Sequence, residues 1–175
     1  MLFRTDAQKQ DLAWNWRRGD RAFFQAGACH FLADAFLRRF PDAGFRPLMI
    51  QPVAGFRGGH IVAASPTTIF DWHGFSDRAR YVAHYFGKLR RFFPGWDATI
   101  LELEEFMTPA FFAEFNHRSP DQFLRDPHPR AKAFLDRLLT SLPSPTLVIA
   151  SPAQPGVAIH PDGLLRRSAS RNSSQ

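Results

Sequence analysis

Between Gly27 and Pro41 the apolar side chains fall at Cys29, Leu32, Ala33, Phe36 and Phe40. The spacing i, i+3, i+4, i+7, i+11 is one face of an α-helix, and such a face needs a second layer to bury against. Arg38 and Arg39 suit the negative end of that helix, and Pro41 stops it. Cys29, the only cysteine of the 175 residues, therefore sits in the first turn of a largely buried helix.

The second layer is expected from short strands. Arg46–Val53 is an apolar segment bounded by Gly and Pro, and Gly55, Gly58 and Gly59 mark a flexible loop after it. His60–Ala64 and Thr68–Trp72 read as a β-hairpin about the turn Ser65-Pro66-Thr67, ended by Gly74. Ser76 is expected to cap a second helix with Val82, Tyr85, Phe86, Leu89 and Phe93 on one face, closed by Pro94-Gly95. Ala98–Leu103 reads as a further strand. Thr5 to Arg18 reads as an N-terminal helix with Thr5 as N-cap. Thr108-Pro109 and Ser119-Pro120 each look like an N-cap followed by Pro at the first helical position. Pro129 is expected to open a third helix that buries Phe134, Leu135, Leu138, Leu139 and Leu142. The class is α+β: a cysteine-bearing helix packed on a small antiparallel sheet, with additional C-terminal helices.

Composition narrows the alternatives. Hydrophobic residues are 45% and charged residues 22%, the balance of an ordinary globular chain. A lone cysteine excludes an internal disulfide, so a disulfide-stapled scaffold is excluded too. No apolar run approaches the roughly 20 residues that span a bilayer. Met1–Asp20 carries three aspartates and no apolar core, unlike a secretory signal, so a cytoplasmic location is expected. One domain is expected over residues 1–163, with 164–175 a disordered basic tail. Thr146–Ala150 and Val157–His160 are candidate edge strands. The net charge is +6, and Arg166, Arg167 and Arg171 in the tail account for half of it. The basic residues are not gathered on one element, so nucleic acid is not expected as a partner.

The chemistry centres on Cys29. A helix N-terminus favours a thiolate through its free N–H groups and positive end. A buried cysteine, on the other hand, usually packs as a small hydrophobe. His60 follows a Gly pair and opens a strand; Asp71 lies near the far end of the return strand. A turn centred on Ser65–Pro66–Thr67 places 60 and 71 side by side, with Cβ atoms roughly 4.5–5.5 Å apart. A one-residue shift would bring Trp72 opposite His60, and a two-residue shift would bring His73. His73 thus stays open as an alternative third member. Cys29-His30 is not read as a metal motif, since one cysteine does not make a zinc site. His30 is expected to point elsewhere, and His117 and His128 lie far apart on polar segments. Neither a metal nor a cofactor is expected.

Gly-x-Cys at a helix start, Gly59-His60 opening a strand, and Phe70-Asp71-Trp72-His73-Gly74 at a strand end together resemble the papain-like cysteine peptidase superfamily. The nearest in build is the compact bacterial branch related to the NlpC/P60 amidases. Ala26-Gly-Ala-Cys-His-Phe-Leu-Ala also resembles small bacterial proteins with a Gly-x-Cys-His helix start. The resemblance covers about Phe24–Phe75. It implies Cys29 as nucleophile, His60 as general base and then acid, and Asp71 as the group that orients His60. It also implies a Gln shortly before the Cys in the oxyanion hole, for which Gln25 is the candidate beside the backbone N–H of Cys29. His30 stands where that family often has Trp or Ser. Transglutaminases and arylamine acetyltransferases share the Cys, His, Asp order, so the implied partner is a peptide, amide or acyl substrate. The competing expectation is a non-enzymatic interaction domain whose contact surface is the basic segment Ser76–Phe93 and the tail.

Overall fold

The computed structural model describes residues 4–141. The candidate edge strands, the basic tail and Leu142 lie outside them.

The expected helix from Thr5 to Arg18 is two short helices rather than one. Thr5 caps α1 (Asp6–Gln10) through a capping box: its hydroxyl accepts from the Gln8 N–H, and the Gln8 side chain accepts from its own. Asp11 leaves helical geometry, and its carboxylate accepts the Trp14 N–H to start α2 (Leu12–Arg17). Two caps within one apparent helix, at Thr5 and Asp11, decide the break. The buried Asn15 then ties the corner by donating to the carbonyls of Gln8 and Asp11. α3 (Asp20–Gln25) follows. Gly27, at φ +114°, turns the chain into α4 (Cys29–Arg39).

β1 (Arg46–Pro52), β2 (His60–Ala64), β3 (Thr68–Asp71) and β4 (Gly74–Asp77) come next, then α5 (Arg78–Phe92) and β5 (Ala98–Glu102). α6 (Pro109–Glu114) starts at the Thr108 cap, as expected, and Pro120–Gln122 is a single 3₁₀ turn. α7 (Pro127–Ser141) begins at Pro127, two residues before Pro129, because the Asp126 carboxylate accepts the His128 N–H there.

The strands form one antiparallel sheet in the order β4-β3-β2-β1-β5. β2 is buried at all five positions, since both its faces are covered. Met49, Ile61, Ala63 and Phe70 face α4. Behind α4 lie α3 and α7, joined through the stacked rings of Phe24 and Phe134. Leu48, Val62, Ala64 and Ile69 face Tyr81 and Val82 of α5, and Ile50 meets its Leu89. Phe36 of α4 lies flat on Phe70 of β3 at 4.1 Å between ring centroids.

Two details of the hairpin region correct the sequence reading. Ala63 pairs with Phe70 and Ala64 with Ile69, a shift of two residues from the expected pairing of His60 with Asp71. The Ser65 hydroxyl accepts the Thr68 N–H, which moves the turn one residue on. Continuing this register sets His73, not Asp71, across from His60. Secondly, Gly74 does not end the sheet. Asp71 turns the chain by accepting the His73 N–H, and Gly74 at φ +99° starts β4. Ser76 therefore lies on a strand, and the cap of α5 is Asp77, whose carboxylate accepts the Arg80 N–H. No helix among the described residues is long and apolar enough to cross a membrane.

Candidate active site

Cys29 is the first residue of α4, and its cap residue, Ala28, offers no side-chain acceptor. In that first turn the Phe31 N–H donates to the Ala28 carbonyl at 3.2 Å, and no side chain caps the N–H groups before it. The sulfur is buried and accepts the N–H of Ile61 at 3.5 Å. This contact pins the start of α4 to the start of β2, where His60 sits.

His60 and Asp71 come together despite the register shift. Asp71 lies across from Val62, and residues 60 and 62 share a face of the sheet. The two are therefore diagonal neighbours, whose Cβ atoms are typically roughly 7–8 Å apart and within reach of long side chains. Nε2 of His60 lies 3.5 Å from Oδ2 of Asp71, and both side chains are almost wholly buried. That nitrogen has no hydrogen-bond partner among the described residues, so Asp71 meets it as a charge contact only. Asp71 is held from two more sides. Its Oδ2 accepts the Tyr81 hydroxyl at 2.7 Å, and its Oδ1 lies 3.2 Å from Nδ1 of His73. His73 is half exposed and stands on the outer side of Asp71, so the carboxylate separates the two histidines. Tyr85 stacks on the His60 ring at 5.8 Å and donates its hydroxyl to the Gly58 carbonyl. A side chain on Gly58, at φ +102°, would press on Leu89, so glycine lets the loop approach α5 closely.

The structure adds two residues to the thiol that sequence spacing set aside. The ligand atoms of Cys29, His30 and His117 all lie within 4.8 Å of one another. His30 does not point away: its ring is buried, and Nε2 donates to the Arg118 carbonyl at 2.9 Å. Nδ1 of His117 donates to the Phe115 carbonyl at 2.9 Å. Both rings therefore present their second nitrogen as an acceptor, and Nδ1 of His30 has no partner. His117 is 88 residues from Cys29 along the chain, and no local pattern links them.

A cavity of about 1000 Å³ opens on Cys29. Gln25, the last residue of α3, lines it, together with Gly27, Gly59, His117, Arg4 and Arg118. Cys29, His60 and Asp71 also share a narrow cleft between α4 and the sheet.

The charges are strongly coupled. Burial pushes the Cys29 thiol up, but the charge of His60 and the neighbouring His117, His30 and His60 side chains outweigh it, leaving the thiol well below its ordinary value. Burial works against charge on His60; the Cys29 thiolate and Asp71 outweigh it and raise the imidazole to about 10. Burial would raise Asp71, yet its bonds to His60 and His73 hold it well below the usual carboxylate range. Burial keeps His30 neutral, whereas contact with Cys29 overcomes the burial of His117 and raises it. The Cys29 and His60 shifts both run toward a thiolate beside an imidazolium. Compared with known proteins, the chain matches no family model, no curated protein and no solved structure.

Proposed function

We propose that the protein is a papain-like thiol hydrolase or acyltransferase acting on an amide or thioester bond. One observation carries the reading: a thiol at a helix N-terminus beside a buried histidine whose Nε2 lies 3.5 Å from a buried aspartate. Nε2 faces Asp71, which leaves Nδ1 to exchange a proton with the sulfur or the substrate.

In this mechanism the Cys29 thiolate adds to the acyl carbon and forms a C–S bond. The oxyanion that develops takes hydrogen bonds from the backbone N–H of Cys29 and the amide of Gln25. The imidazolium of His60 gives its proton to the leaving nitrogen or sulfur as that bond breaks. Neutral His60 then takes a proton from water, or from an acceptor amine, whose oxygen or nitrogen attacks the acyl carbon. The thioester to Cys29 breaks, and the thiolate–imidazolium pair returns. Asp71 keeps its charge throughout, and Tyr81 fixes its orientation.

A second reading is favoured by the unpartnered Nδ1 of His30. Cys29, His30 and His117 form a three-ligand set for a thiophilic divalent cation such as zinc, with a fourth position open to the cavity. Their outer nitrogens are fixed by carbonyls in the way metal-bound histidines usually are.

Iodoacetamide labelling of the folded protein separates these readings. The hydrolase reading expects fast labelling of the single thiol in EDTA, and loss of turnover on amide and thioester substrates in Cys29→Ala with an unchanged unfolding midpoint. Fast labelling in EDTA that one equivalent of zinc abolishes, and that His117→Ala restores, would support the metal centre. A thiol that reacts only after unfolding would overturn both and leave a non-enzymatic interaction domain.

A further inference from the structure

The cavity in front of Cys29 is lined by four cationic side chains, Arg4, Lys9, Arg57 and Arg118, against one acid, Glu114. Two of the four are compensated, since Lys9 and Arg57 share the Asp6 carboxylate at 2.9 and 3.0 Å. The other two are not. Nη1 of Arg4 donates to the neutral Asn15 side chain at 2.6 Å, and Arg118 donates to the Lys9 carbonyl. Neither makes an ion pair among the described residues.

Their placement is specific. The Arg4 guanidinium lies against Gly27, two residues before the nucleophile, where an added Cβ would come within 2.7 Å of Nη2. The backbone of Arg118 holds His30 in place next to Cys29. The two guanidinium groups repel each other: burial and the charge of Arg118 lower the Arg4 pKa, and the Cys29 thiolate offsets this only in part. Holding two like charges beside a cavity costs free energy unless an anion joins them, and the planar fork of arginine fits a carboxylate or a phosphate.

We infer that the substrate of this site carries an anionic group, a carboxylate or a phosphate, bound between Arg4 and Arg118 next to the bond that Cys29 attacks. The inference rests on the thiol-hydrolase reading. It gives the excess positive charge of the chain a local use: the cavity concentrates anions at the thiolate, which would otherwise repel them.

Paired alkylation tests it. Iodoacetate and iodoacetamide attack the same thiolate, so the ratio of their rates cancels the thiolate fraction and reports the field in the cavity. The ratio for the folded protein at low salt is expected to exceed that of the urea-unfolded chain by about tenfold. It should fall as KCl is raised, and in Arg4→Gln and Arg118→Gln, while the unfolded ratio stays fixed. Inorganic phosphate and succinate, added separately, should each slow iodoacetate, and the stronger of the two identifies the group. A folded ratio equal to the unfolded one, with iodoacetamide still fast, overturns the anionic substrate alone. Failure of iodoacetamide itself overturns the nucleophile and the inference with it. The salt series uses the unaltered protein and decides the matter even where an arginine variant does not fold.

Discussion

The sulfur of Cys29 and the ring of His60 each favour the charged form of the other, with His117 and His30 adding to the effect on the thiol and Asp71 to that on the imidazole. This has a measurable consequence in pH. Alkylation of Cys29 should set in well below the free-thiol value of about 8.5. The rate should then be flat through neutrality, because the thiol has already lost its proton. Turnover, which also needs the proton on His60, should decline as pH rises through about 10. In His60→Ala the burial of Cys29 is no longer opposed by the imidazolium. The apparent pKa of alkylation should then move up by a unit or more, measured as rate against pH. An unchanged profile in His60→Ala would assign the activation to His30 and His117 instead. Of these three histidines only one stands out by local pattern. His60 is legible because it opens a strand after two glycines. His30 and His117 are not, since His30 is fixed by the Arg118 carbonyl far along the chain and His117 meets the thiol only once the chain has folded.

At the scale of the elements, most spans follow from caps and apolar spacing, and the departures come where two cap residues adjoin. Ser76 and Asp77 are both good N-cap types, and the sheet chooses between them. Ser76 is taken up in β4 pairing with Ile69, which leaves Asp77 to accept the Arg80 N–H. Asp77→Ala should therefore cost about 1 kcal/mol, whereas Ser76→Ala should stay within about 0.5 kcal/mol, both read from urea unfolding midpoints. Equal losses would return the cap to Ser76. The same competition explains Asp71. It turns the chain into β4 through the His73 N–H and sets its other oxygen 3.5 Å from Nε2 of His60. One carboxylate thus serves the tight turn and the site, and the four residues of β4 have too little apolar alternation to announce a strand beforehand.

At the scale of the molecule, the stacked rings of Phe36 and Phe70 join the cysteine-bearing helix to the strand that carries Asp71. Phe36 is almost wholly buried and also touches Phe40, Phe45 and Phe75. Phe36→Ala should cost about 3–5 kcal/mol by emptying that space. Urea unfolding should show a lower midpoint at an unchanged m-value. A loss under about 1 kcal/mol would mean that the two layers are held together elsewhere. What periodicity and caps could reveal was the mixed helix–sheet class, the helix that begins at Cys29, the hairpin, and Cys29, His60 and Asp71 as candidates. Helical and strand spacing are local properties that a single segment carries whole. The two-residue shift of the hairpin, the choice of Asp77 over Ser76, the approach of His117 to the thiol and the uncompensated guanidinium groups of Arg4 and Arg118 were settled only by the fold. Each depends on groups distant in sequence competing for the same hydrogen bond or the same buried space, and such competition is decided once the layers have packed.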